Sequence, residues 1–286
     1  MSRRKRSSFG GFPLFILGAS ILLIAAGCFM AMGSGCSESE PVEPGKPSNS
    51  SSKPKHYPGL ETVNIPGNLP SQVKEYLGFT LSFNKENKTP NYVAWELLNE
   101  ETQGDEGRSN NFWTDEDLEG CPTTKDYTGS GFDRGHLCPA ADQKWNPQAM
   151  SDCFVMANIC PQDHALNAGA WATLENKERQ WAQRDSALMI IAGPIYTDSD
   201  TQRIGAAKVR VPSAFFKVLA APYLDEPRGI AFVYPNMKSP GNMENYAMSI
   251  DELERLTGFD FLPALPDDVE NKVESTFSFK EWNRSK

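Results

Sequence analysis

The residues Asp133-Arg134-Gly135-His136 are followed at set intervals by Asn158, Asn167, Glu175 and Arg179. A base, two amides, a carboxylate and a cation in this order can hydrolyse a phosphodiester with the help of one metal ion. That reaction needs a base for the attacking water, positive charge on the five-coordinate phosphate and help for the leaving oxygen. His136 can be the base, because an imidazole of ordinary pKa, about 6.5, is largely neutral at pH 7. Asn167 can be the metal ligand, since Mg2+ keeps several waters and needs few protein oxygens. Glu175, two helical turns on, can hold the waters of such an ion. Arg134 and Arg179 offer guanidinium donors at the spacing of phosphate oxygens. Arg108, in a polar loop upstream, offers the same. Asn158 can orient His136 or the phosphate.

Each residue also has a plainer use. Asparagine is among the best helix N-caps, which could account for Asn167. Glu175 and Arg179 are four apart and could form a surface pair, and Asn158 could close an Asx-turn. Any one of the arginines could sit in a solvated ion pair. Asp133 is expected to orient its neighbours, Trp171 to pack, and His164 to lie in a loop. The ordered set, more than any member, points to catalysis.

The elements that must position these residues are partly visible. Residues 91–98 alternate imperfectly between apolar and polar side chains and predict a strand entering a polar loop, 99–108. Residues 131–137 predict a short strand between glycine turns, 147–152 a helical turn, and 153–157 an apolar strand stopped by Asn158 and Pro161. A helix is predicted over 166–183, where Leu166, Ala170, Leu174, Lys177 and Trp181 recur every three or four residues. Asn167, Trp171, Glu175 and Arg179 would then share one slowly drifting stripe. Further strands are predicted at 188–191, 209–211, 214–220 and 229–234. Ser249 and Glu252 form a capping box for a helix to about Leu256, and Gly258 ends it. Strands and helices do not alternate strictly, which favours α+β with a mostly antiparallel sheet over a doubly wound fold.

The ends and the charge bound the setting. Four basic residues, Arg3 to Arg6, precede a charge-free run over 7–37, whose apolar part, 12–32, could cross a bilayer. The basic flank predicts that the rest of the chain is exported. The run would be an uncleaved anchor, or a signal cut before a lipid-bearing cysteine at Cys28 or Cys36. The expected organisation is an export and anchor segment over 1–36, a solvated Ser/Pro-rich tether over 37–56 and one domain over 57–286. The net charge is −9, and the first 56 residues hold seven Lys/Arg and three Asp/Glu, so the domain carries −13. That balance argues against tight, processive nucleic-acid binding. It allows a brief encounter in a locally basic cleft. Cys121, Cys138, Cys153 and Cys160 lie around the motif; in an exported domain an even number favours disulfides, with three pairings open.

Taken with Gly193-Pro194-Ile195-Tyr196, Val211-Pro212, Phe215-Phe216-Lys217 and Ser249 to Glu254 followed by Thr257-Gly258, the motif residues resemble the DNA/RNA non-specific endonuclease family. The likeness spans about residues 70–265. It implies a ββα-metal (His-Me finger) core on a central, mostly antiparallel sheet flanked by helices. It implies His136 as general base, Asn167 as the one direct protein ligand of a hydrated Mg2+ (Mn2+ or another divalent ion able to substitute) and Glu175 behind its waters. Arg134 and Arg179 match positions that contact phosphate or leaving group, Asn158 matches an active-site amide, and Arg108 matches an upstream phosphate-binding arginine. DNA and RNA would be the substrates, with a homodimer as the expected assembly. Neighbouring strands bearing His136 and Asn158 would allow a Cys138–Cys160 bridge, leaving Cys121–Cys153. Two other classes compete: a non-catalytic surface lipoprotein that binds a partner or polymer, and a phosphodiesterase for small substrates.

Overall fold

A computed structural model describes residues 57–284. The expected anchor, tether and lipid-bearing cysteines lie outside the described residues. Among those described, no helix is long and apolar enough to cross a membrane.

Eleven strands are formed among the described residues: β1 Gln72–Glu75, β2 Thr80–Asn84, β3 Thr89–Leu98, β4 Asp133–His136, β5 Ile159–Gln162, β6 Ala187–Ile195, β7 Arg203–Ile204, β8 Val209–Arg210, β9 Ala214–Ala221, β10 Arg228–Pro235 and β11 Ala247–Met248. The helices are α1 Pro147–Asp152, α2 Ala172–Asp185, α3 Ile250–Thr257, α4 Asp267–Glu274 and α5 Phe279–Trp282. Seven strands make one sheet in the order β1-β2-β3-β6-β9-β10-β11, and every neighbouring pair is antiparallel. The α+β expectation with an antiparallel sheet holds.

Side chains alternate across this sheet, and both faces are covered. Val93, Trp95 and Leu97 of β3, with Leu188 and Ile190 of β6, face one core. Tyr92 and Ala94, with Met189 and Ile191, face the other. α3 and α4 cover the second face through Ile250, Leu253, Val269 and Val273. The first face is covered by what lies between β3 and β6. The chain leaves the sheet after Leu98 and returns at Ala187, with the backbone N–H of Asn99 bonded to the carbonyl of Ser186 at 2.8 Å. That excursion contains the β4–β5 hairpin and α2, so a ββα unit stands on the central sheet, and every candidate catalytic residue belongs to the excursion.

Two predicted elements differ. Residues 153–157 are not a strand. They form a turn and a short 3-10 helix with one isolated bridge, Val155 to Trp113, and the strand itself begins at Ile159, running through Pro161. The apolar run reflects burial from all sides, since Cys153 to Ala157 are fully buried. The long helix is also interrupted: Leu166–Trp171 is π-helical, broken at Gly169 (φ −111°, ψ −108°), and regular helix starts at Ala172. Glycine carries no Cβ to resist that backbone. The break removes the single stripe. Trp171 turns wholly into the core against Phe215, as a packing residue, while Asn167 points the other way, to Asp133.

Candidate active site

The β4–β5 pairing sets the motif in register: Asp133 faces Gln162, Gly135 faces Cys160 and His136 faces Ile159. Gly135 must be glycine here, because a Cβ would lie 2.3 Å from Oε1 of Gln162. Along the strand Arg134 and His136 share one side. Phe112 confirms that geometry, lying 5.4 Å from the His136 ring and 4.4 Å below the Arg134 guanidinium. Phe154 meets the imidazole edge-on at 4.9 Å and carries the Arg108 guanidinium 5.1 Å above its own ring. The two phenylalanines therefore wedge the histidine, and each supports an arginine on its outer face. Both arginines are exposed, and neither forms an ion pair or side-chain hydrogen bond among the described residues.

His136 is 8% exposed. Burial, and then the charges of Arg108 and Arg134, hold its pKa down at about 3, with a backbone contact to Arg134 pulling the other way. The imidazole is therefore neutral across the working range. Its Nε2 is buried without a hydrogen-bond partner among the described residues.

Asn167 is free to act because another residue does the capping. Oδ1 of Asp163 accepts the backbone N–H groups of Ala165 and Leu166, so Asp163 caps the helical segment. The Nδ2 of Asn167 donates to Oδ2 of Asp133 at 2.8 Å, which fixes the amide plane. Its Oδ1 accepts no hydrogen bond from the described residues and is presented as a neutral oxygen donor. Asp133 thus orients its neighbours as expected, and His164, read from sequence as a loop residue, also reaches its Oδ2 at 2.8 Å.

Glu175 lies one turn into α2. Burial pushes its carboxyl up to about 7, while Lys217, Arg179 and Arg108 pull it down and Asp142 adds to the rise. Arg108 thus lowers the pKa of both Glu175 and His136. A charge acts on both only from near both, which places this arginine within electrostatic reach of His136 and Glu175.

Two of the expected residues stand elsewhere. Asn158 is fully buried and its amide is used up on the backbone: Oδ1 accepts from Cys138 N, and Nδ2 donates to the carbonyls of Cys138 and Cys153 at 2.9 and 2.8 Å. It clamps the chain leaving His136 and does not face substrate. Arg179 donates to the buried Asp142 at 2.7 Å and to Asn176 at 2.7 Å. It braces α2 against Asp142, which also accepts from the Trp95 indole at 3.1 Å. Sequence reasoning missed the wedge of Phe112 and Phe154, and it missed the fully buried Lys217–Glu178 pair at 2.8 Å beneath α2. Lys217 did carry a signal: it stands between Phe215 and Leu219 in the apolar phase of a strand.

The expected disulfides are absent. Cys121, Cys138, Cys153 and Cys160 are all free thiols. In the register of the hairpin Cys160 faces Gly135, so Cys138, two residues past the end of β4, is not its partner. Instead the sulfur of Cys138 accepts from Gln143 and that of Cys153 donates to the Met150 carbonyl, each at 3.2 Å.

This arrangement was compared with known proteins. The profile of the DNA/RNA non-specific endonuclease family matches residues 57–268. A protein named nuclease from Nostoc sp. is 34% identical over 212 residues, covering 69% of this chain and 75% of its own. Mitochondrial endonuclease G of Bos taurus is 33% identical over 241 residues, covering 78% of this chain and 77% of its own. Among solved structures, a crystal structure of the EndoG/EndoGI complex superposes with a TM-score of 0.64 at 24% identity, over 71% of this chain and 90% of that one. That match concerns the fold. The extent of the family match and of the relatives' identity settles membership: the chain belongs to the DNA/RNA non-specific endonuclease family and is a nuclease.

Proposed function

We propose that the chain cleaves phosphodiester bonds within DNA and RNA, with little regard to sequence, using His136 as general base and a divalent cation, Mg2+ by preference, held by Asn167. The observation that carries this reading is the pair of unpaired guanidiniums, Arg108 and Arg134, set on either side of a neutral histidine. Phosphate is the ligand such a pair awaits. Because these donors address the backbone and not base edges, they carry no sequence preference. Their local positive charge also accounts for how a domain of net charge −13 can accept a polyanion.

The neutral imidazole of His136 takes a proton from the attacking water on its unprotonated ring nitrogen. Phe112 and Phe154 keep the ring from rotating and keep water from its inner edge. Arg134 and Arg108 neutralise phosphate oxygens as charge builds on them. Oδ1 of Asn167, with its amide fixed by Asp133, suits a hard cation that keeps most of its waters, and Glu175, on the helix that follows the Gly169 break, would order those waters. When bound, the cation supplies positive charge to the phosphate and the leaving oxygen.

The basic flank and the apolar run over 12–32 support an exported, membrane-anchored enzyme with its domain outside the cytoplasm. Plasmid nicking and RNA cleavage by the intact chain test the activity. Cleavage of both polymers, abolished by EDTA and restored by Mg2+, is expected. Cleavage of a model diester with both polymers spared would reject the reading in favour of a small-substrate phosphodiesterase.

A further inference from the structure

On the face of the sheet away from His136, α3 and α4 bring carboxylates together without any cation. Asp251 and Glu254 are one turn apart on α3, and Glu274 is the last residue of α4. One carboxylate oxygen from each lies within 4.8 Å of the others. Asp260 and Glu270 stand close enough to add their charge. None of these five acids forms an ion pair among the described residues. Neutral donors hold two of them: Oε1 of Glu254 accepts the Phe261 N–H at 2.8 Å, and Oδ2 of Asp260 accepts from Asn64 at 2.7 Å.

Glu274 makes this more than an acidic surface. It is 6% exposed, and its Oε1 is buried with no hydrogen-bond partner. Leaving a buried carboxylate oxygen unmatched is costly, more so beside like charges.

We propose that Asp251, Glu254 and Glu274 form a calcium site that ties α3 to α4, separate from the catalytic cleft. The donors are all hard oxygens, which selects Ca2+ or Mg2+ over softer ions. Carboxylates supplied by two helices, with no rigid octahedral frame, suit Ca2+, which takes about six to eight oxygens in flexible geometry, better than Mg2+, which demands a near-ideal octahedron.

The test is the melting temperature of the intact protein, with and without Ca2+, for the wild type, N167A, E274Q and D251N. Ca2+ at roughly ten times its Kd should raise the wild-type midpoint by about 3 °C or more. N167A should show the same rise, because its defect lies in the other site. E274Q and D251N should lose the rise while keeping Mg2+-dependent nicking, and E274Q without Ca2+ should melt no lower than wild type, since it removes a buried acid. D251N alters a half-buried position and so separates lost binding from lost folding. An equal rise in wild type and both carboxamide variants, a rise lost in N167A, or no rise in wild type would overturn the site.

Discussion

The side-chain amide of Asn167 donates to the carboxylate of Asp133 at 2.8 Å, joining the helical segment to the first residue of the Asp-Arg-Gly-His strand. That bond does two things. It turns Oδ1 of Asn167 outward, and it fixes the distance between this oxygen and the imidazole three residues along the same strand. Asp133→Ala should therefore weaken cation binding without touching the base. Metal titration of nicking should show the half-saturating Mg2+ concentration raised about tenfold, the usual cost of losing such an outer partner, with near-normal cleavage once metal is saturating.

The arginine pair makes a prediction about salt. Arg108→Ala and Arg134→Ala should each lower kcat/KM by about tenfold, and each should reduce the slope of log affinity against log salt by about 0.9 on duplex DNA. Arg179→Lys, at a residue already committed to Asp142, should leave that slope unchanged. Filter binding of catalytically silent protein over a salt series measures all three.

Glu175 sets the pH dependence. Its carboxyl, pushed up to about 7 by burial, holds a proton below that pH and loses its charge. Cation binding should therefore strengthen as pH rises through about 7, and a bound cation should move that midpoint downward. His136, held near 3, contributes no step in this range. Isothermal titration with Mg2+ at pH 6 and pH 8 should show tighter binding at pH 8 for the wild type and no difference for Glu175→Gln.

Asn158 gives a stability prediction in place of a catalytic one. Asn158→Ala leaves a buried N–H and two buried carbonyls without partners, each costing about 1–3 kcal/mol. Urea unfolding should show a clear drop in midpoint, while the fraction that remains folded keeps its KM. A raised KM at full stability would return Asn158 to the substrate.

What could be read from the sequence follows a physical division. The sheet was legible where apolar runs are long: β3, β6, β9 and β10 were each predicted within a few residues. The capping box at Ser249 and its αL terminator Gly258 were legible because both are local chemistry. The spacing of His136, Asn167 and Glu175 was legible as a pattern of residue types. The break at Gly169 was not, because the apolar residues on either side keep a helical spacing through it. Nor were the commitments of Asn158 and Arg179, whose partners Cys138 and Asp142 lie 20 and 37 residues away and are chosen by packing. The thiols stay apart for a similar reason: strand register, invisible in a list of cysteines, decides which residues face each other.

The central claim, that the neutral imidazole at 136 removes the proton from the attacking water, is tested most directly by single-turnover plasmid nicking at saturating Mg2+ with the wild type and His136→Ala, alongside circular dichroism of both. The account predicts a loss of about a hundredfold or more in the cleavage rate with the native spectrum retained. A folded His136→Ala enzyme that cuts at the wild-type rate would contradict it.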